Sequence, residues 1–168
     1  NTILRRLIDI SPRQLTSQRF WDRMDLVSQE SIVAIERDIT GHMVGEFDIA
    51  LEKLLFDATN FFTFIDTFND RCDIAKRGKS KEGRKSLRIV GVALLVSADF
   101  HIPLLHKTYP GNQADSNTFA DLIPAITKRC REITQEMRNI SVVFDKGNNS
   151  PENLDYVDKS PVHFVGSL

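Results

Sequence analysis

The sequence has 168 residues, of which 41% are hydrophobic and 27% are charged, and its net charge is -1. These values are typical of a globular protein with one core, and they exclude a chain that is basic throughout. Two distant cysteines, Cys72 and Cys130, exclude a disulfide framework and suit a reducing, cytoplasmic location. No apolar run approaches the ~20 residues that span a bilayer, so no membrane partner is expected.

The N-terminal part of the chain has a helical pattern. Apolar residues recur at helical spacing at the N-terminus, around Phe20 and Trp21, and over residues 32–47. We interpret residues 1–50 as a helical lead-in segment and residues 51–168 as the main domain. The first residue is not Met and the last residues are apolar, so we expect both ends to be cut from a longer protein.

The main domain opens with strand patterns. Residues 54–64 are rich in aromatic and apolar side chains, with one acid, Asp57, inside the run. Residues 87–96 and 102–109 predict two strands joined by a hairpin, and residues 116–137 then have helical periodicity.

The end of the chain predicts a further strand, helix and strand. Residues 140–144 form a short apolar run that ends on Asp145. Ser150 and Pro151 are residues that favour a helix start, and a last strand is expected over 162–165. This order predicts an α/β fold with a mixed sheet flanked by helices.

Positive charge is concentrated in one stretch. Between Arg71 and Arg88 there are eight basic residues against two acids, a local balance of 8 − 2 = +6. Such a run is either a solvated loop or a surface for a polyanion such as DNA. The sequence pattern alone leaves both interpretations open.

Asp57 and Asp145 are the candidate chemical groups. Each lies in or at the end of an apolar strand, where an unpaired carboxylate is unfavourable. If the two strands are neighbours, both carboxylates reach one edge of the sheet, where oxygen ligands could bind two divalent cations. Alternatively, each aspartate caps a loop or pairs with a basic neighbour.

Four segments resemble, in order, the motifs of bacterial and archaeal insertion-sequence transposases with a DDE site. They are LFDATNFF at 55–62, RGKSKEGR at 77–84, YPGNQADS at 109–116 and VVFDKGNNS at 142–150. The resemblance implies a ribonuclease-H-like catalytic core that cuts DNA at transposon ends and joins the freed 3′-hydroxyl to target DNA. The sequence departs from the family at Phe100 and His101, where a hairpin glycine is usual.

The resemblance also implies residue roles. Asp57 and Asp145 would be the first two catalytic acids and metal ligands, holding two Mg²⁺ or Mn²⁺ ions when the third acid is present. That third acid, a glutamate, has no counterpart here, so we expect the fragment alone to be inactive. Phosphate contacts are expected from four basic residues: Lys79, Lys81, Arg84 and Lys146.

The resemblance finally implies partners. DNA, both transposon ends and target, is the expected partner, and the full-length protein is compatible with a homodimer. An alternative from another class is a non-catalytic DNA-binding or assembly remnant of a transposase, either domesticated or decayed.

Overall fold

We analysed a computed structural model of the chain, which describes residues 16–66, 68–79, 83, 86–134, 139–148 and 150–166. The chain divides into two compact units, Asn1–Glu36 and Arg37–Leu168. The helix expected at the very N-terminus lies outside the described residues. No helix in the described ranges is long and apolar enough to cross a membrane.

In the part of the chain that the structure describes, two helices precede the sheet. Helix α1 spans Ser17–Met24, and its first turn is capped by Thr16, whose side chain accepts a hydrogen bond from the Arg19 N–H. Phe20 and Trp21 of α1 are exposed and make an edge-to-face ring contact with each other. Helix α2 spans Gln29–Glu46, and the boundary between the two units falls inside it.

The remaining described elements begin with four strands, and helices then separate the last strands from one another. In chain order they are β1 Lys53–Thr63, β2 Lys76–Arg77, β3 Arg88–Ser97, β4 Pro103–Pro110, α3 Asp115–Ile133, β5 Ser141–Phe144, a 3₁₀ turn Lys146–Asn148, α4 Pro151–Asp158 and β6 His163–Gly166. The strands, the hairpin and the helices expected within the described residues are present. Of the helix expected over 116–137, the structure describes the part up to Ile133, which is helical, and then Thr134; residues 135–138 are not described.

The sheet has six strands in the described chain and mixed directions. Strand β3 runs antiparallel to β1 and carries both β2 and β4 on its other edge, again antiparallel. Strand β5 is parallel to β1, and β6 is parallel to β5. This confirms the mixed α/β sheet, with the antiparallel hairpin strands on one side of β1 and the parallel strands on the other, that the ribonuclease-H-like expectation requires.

The core lies between the sheet and α3. One side of α3 is buried against alternate residues of the strands, because side chains in a strand point to opposite faces with a period of two. Phe119 of α3 is fully buried and packs against Phe56 of β1 and Phe144 of β5, with ring centroids 5.3 and 4.6 Å apart. One aromatic residue therefore contacts both central strands.

Candidate metal site and basic loop

The pairing of β1 with β5 brings the chain segments that carry the two predicted acids next to each other. Lys53 is paired with Ser141, Leu54 with Val142 and Leu55 with Val143. Asp57 and Asp145 each lie two residues beyond the last of these pairs, so the same register carried on by two residues would set them level with each other. Asp57 lies inside β1, Asp145 directly follows the last residue of β5, and adjacent strands lie about 4.8 Å apart.

The core fixes the face to which both aspartates point. Phe56 and Phe144, the residues directly before the two acids, are both anchored on Phe119. Because alternate residues of a strand face opposite sides, the next residue in each strand turns away from the core. Asp57 and Asp145 are accordingly exposed.

Each carboxylate is held through one oxygen. Asp57 Oδ1 accepts a hydrogen bond from the Ala58 N–H at 2.8 Å. Asp145 Oδ1 accepts from the Gly147 N–H at 3.0 Å and from the Asn148 side-chain amide at 3.2 Å. Among the described residues, neither carboxylate has an ion-pair partner, which leaves the Oδ2 atoms for other ligands.

This arrangement fits a hard divalent cation. Such ions prefer carboxylate oxygens and keep several positions for water or phosphate, and two exposed carboxylates side by side repel each other unless a cation lies between them. Within the described chain, however, no group of three or more His, Cys, Asp or Glu side chains is close enough to hold a metal ion. Asp57 and Asp145 are thus two candidate ligands without a third such side chain beside them among the described residues.

Lys79, in the basic loop (residues 77–86), lies close to the strand that carries Asp57. The carbonyl oxygen of Lys79 accepts a hydrogen bond from the side-chain amide of Asn60, three residues after Asp57, at 3.3 Å. Lys146 follows Asp145 directly and is exposed. Lys81 and Arg84, the other two predicted phosphate contacts, lie outside the described residues.

Arg88 has a different role from the other basic residues of this stretch. Its guanidinium group is buried, and it donates to the carbonyl oxygens of Ala75, Asp66, Asn69 and Cys72. These bonds hold the segment between β1 and β2 against the start of β3. The sequence count of eight basic residues therefore overstates the charge that this stretch presents to a polyanion.

Sequence reasoning missed two further residues near the acids. Asn148 and Asn153 are buried, and both donate side-chain hydrogen bonds around the turn that carries Asp145. Asn148 was part of the motif after the second acid, but its pattern indicated only a turn. Burial of an asparagine inside a polar motif cannot be read from residue type alone, because asparagine is usually exposed.

Comparisons with known proteins add weak structural similarities. Chains of the Mos1 transposase paired-end complex with left transposon end have 7% sequence identity and a TM-score of 0.47, over 77% of this chain and 39% of that chain. A pre-cleavage Mos1 transpososome has 8% identity and a TM-score of 0.46, over 77% of this chain and 41% of that chain. A piggyBac transposase synaptic complex with hairpin DNA has 10% identity and a TM-score of 0.45, over 99% of this chain and 36% of that chain.

The chain thus spans about two fifths of the length of these transposase chains. No family model and no curated protein sequence matches it. Because these sequence identities and TM-scores are low, the fold assignment rests on the strand order and register described above.

Proposed function

We propose that this chain belongs to a DDE-type transposase catalytic core, which performs metal-dependent phosphoryl transfer on DNA. The observation that carries the proposal is the parallel pairing of β1, which contains Asp57, with β5, which Asp145 directly follows. The sequence motifs around both acids support the same function. We also propose that the transposase is of the insertion-sequence group and that it uses Mg²⁺ or Mn²⁺.

The chain's own residues would act by binding and orienting. Asp57 and Asp145 would hold the divalent cations through their Oδ2 atoms, while backbone and amide donors fix the Oδ1 atoms. Bound cations of this kind supply activation of a water or DNA hydroxyl nucleophile and stabilisation of the leaving oxygen. Lys79 and Lys146 would bind DNA phosphates on either side of the pair, together with Lys81 and Arg84.

The first prediction tests the metal site with Asp57→Asn and Asp145→Asn. Without metal, each variant should be as stable as the wild type or more stable by no more than about 1 kcal/mol, because one of two neighbouring exposed negative charges is removed. Mn²⁺ should raise the Tm of the wild type and of the control Asp121→Asn, which changes an exposed acid of α3. It should have little effect on the two site variants.

Thermal melts at increasing Mn²⁺ concentration measure this difference. An equal Mn²⁺ response in all four proteins would contradict the metal site at Asp57 and Asp145. If such a chain still bound DNA, the non-catalytic DNA-binding remnant would be the better description of its function.

A further inference from the structure

A buried asparagine lies directly behind the second acid. Asn148 ends the 3₁₀ turn that follows β5 and is 2% exposed. Its Nδ2 atom donates to Asp145 Oδ1 at 3.2 Å, and the Gly147 N–H donates to the same oxygen at 3.0 Å. Two donors on one oxygen fix the rotation of the carboxylate, so the direction of Oδ2 is set as well.

A second buried asparagine holds the first. The Asn153 side-chain amide donates to the backbone carbonyl oxygen of Asn148 at 3.0 Å, and Asn153 is 3% exposed. The Asn153 N–H in turn donates to Ser150 Oγ at 3.1 Å, which caps α4. The turn behind Asp145 is therefore attached to the first turn of α4 by side-chain hydrogen bonds.

Asn148 is a poor choice for stability alone. Its side-chain oxygen is buried, and no partner for it exists among the described residues. A buried acceptor without a partner lowers the stability of the folded state, so an apolar side chain would suit this position better if packing were its purpose. What the polar side chain adds is the hydrogen bond to Asp145.

We propose that Asn148 is a positioning residue that orients Asp145 for divalent-cation binding, and that Asn153 holds Asn148 in place. This inference rests on the proposed function, since it requires Asp145 to be a metal ligand. Hydrogen bonds from outside the ligand set commonly orient carboxylate ligands and change metal affinity by about 10- to 100-fold.

Asn148→Leu tests the inference, with Mn²⁺ alone as the probe and free Mn²⁺ measured by electron paramagnetic resonance. The variant should bind Mn²⁺ about tenfold or more weakly, while its Tm stays equal to that of the wild type or rises. The matched control is Val157→Ala in α4, where a fully buried side chain that makes no hydrogen bond is shortened. This control should lose stability and keep the wild-type Mn²⁺ affinity.

Gly147→Ala gives a second route in case Asn148→Leu does not fold. A Cβ atom at this exposed position would lie 3.1 Å from Asp145 Oδ1, so it should displace the same oxygen and also weaken Mn²⁺ binding. Wild-type Mn²⁺ affinity in both folded variants, or in Gly147→Ala alone if Asn148→Leu does not fold, would overturn the inference and leave the proposed function intact. If Asp145→Asn binds Mn²⁺ with the same affinity as the wild type, both the inference and the proposed function are overturned.

Discussion

At the scale of single residues, Arg88 shows how one buried cation organises a segment that has little regular structure. Arg88 binds four carbonyl oxygens through a planar guanidinium, and lysine cannot reproduce this geometry with a single ammonium group. Its position at the start of β3 places these bonds beside the basic loop. Arg88 therefore holds the segment between β1 and β2 in place, and its guanidinium is not available to bind phosphate.

We predict that Arg88→Met destabilises the protein by roughly 3 kcal/mol, because several charged hydrogen bonds are lost and carbonyl groups lose their donor. Limited proteolysis should then cut near Phe64 and Phe68, which are exposed in this segment. The control Arg131→Met removes an exposed arginine of α3 and should leave Tm and cleavage unchanged. Wild-type stability and protease resistance in Arg88→Met would refute this role.

Cys130 is a second residue whose behaviour follows from burial. Burial raises the pKa of the Cys130 thiol from its ordinary value of 9.0 to about 11, although the charge of neighbouring Arg129 acts in the opposite direction. Between these two values the unfolded chain has released the proton while the folded chain still holds it. The contribution of Cys130 to stability is therefore present below pH 9 and is lost as pH rises towards about 11.

This predicts a difference between wild type and Cys130→Ala in urea unfolding. The stability of the wild type should fall more steeply than that of the variant above pH 9, by up to roughly 2–3 kcal/mol at the end of the range. Iodoacetamide should modify the half-buried Cys72 before Cys130 at pH 8. Parallel pH profiles for the two proteins would show that Cys130 does not titrate differently on folding.

At the scale of elements, two glycines allow the basic loop to lie close to the sheet. A Cβ atom at Gly78, after β2, would overlap the carbonyl group of Gly111, after β4, and a Cβ atom at Gly111 would overlap the carbonyl group of Ile89. The Gly111 N–H also donates to the Ile74 carbonyl oxygen at 3.0 Å. Gly78 of the RG segment and Gly111 of the PGN segment thus lie where the backbones of three parts of the chain come into close contact.

Gly111→Ala and Gly78→Ala should therefore each destabilise the protein by about 2–3 kcal/mol, because the backbones must move apart. The matched controls are Gly41→Ala and Gly45→Ala in α2, where nothing lies within 4 Å of an added Cβ. These should stabilise the protein by up to about 1 kcal/mol, since alanine favours the helix. Chemical denaturation measures both signs, and a stable Gly111→Ala would exclude the close contact.

At the scale of the whole molecule, charge decides how DNA could be bound. The net charge is -1, so any affinity for DNA is expected to come from the local positive stretch between Arg71 and Arg88. With about three or four phosphates neutralised, log K should fall with log salt at a slope of about -3 for any DNA sequence. Because Arg88 donates to backbone carbonyl oxygens, the stretch has fewer cations with which to neutralise phosphates.

Changing Lys79, Lys81 and Arg84 together to Ala should flatten that salt dependence and weaken binding to all sequences alike. A control with three basic residues from α3 and the end of α4, Lys128, Arg131 and Lys159, removes the same charge elsewhere and should leave a steeper slope. Salt titrations of the three proteins make the comparison. Binding that survives high salt, or equal slopes in both triple variants, would exclude the loop as the DNA surface.

Many of the helices and strands of this protein could be predicted from the sequence alone. Periodicity, turn residues and capping residues depend on near neighbours in the chain, so the strands around Asp57 and Asp145 and the Ser150 cap could be predicted from it. The helix boundaries around residues 135–138 and the N-terminal helix are predictions that the described residues do not test.

Tertiary structure alone decided which residues meet. The pairing of β1 with β5 joins positions 88 residues apart in the chain, and only this pairing brings the segments that carry Asp57 and Asp145 together. The burial of Arg88 and Asn148 could not be predicted from the sequence either. Arginine and asparagine are mostly exposed, and they are buried only where they find hydrogen-bond partners. Contacts between distant segments depend on how the whole chain packs, so local pattern could not supply them.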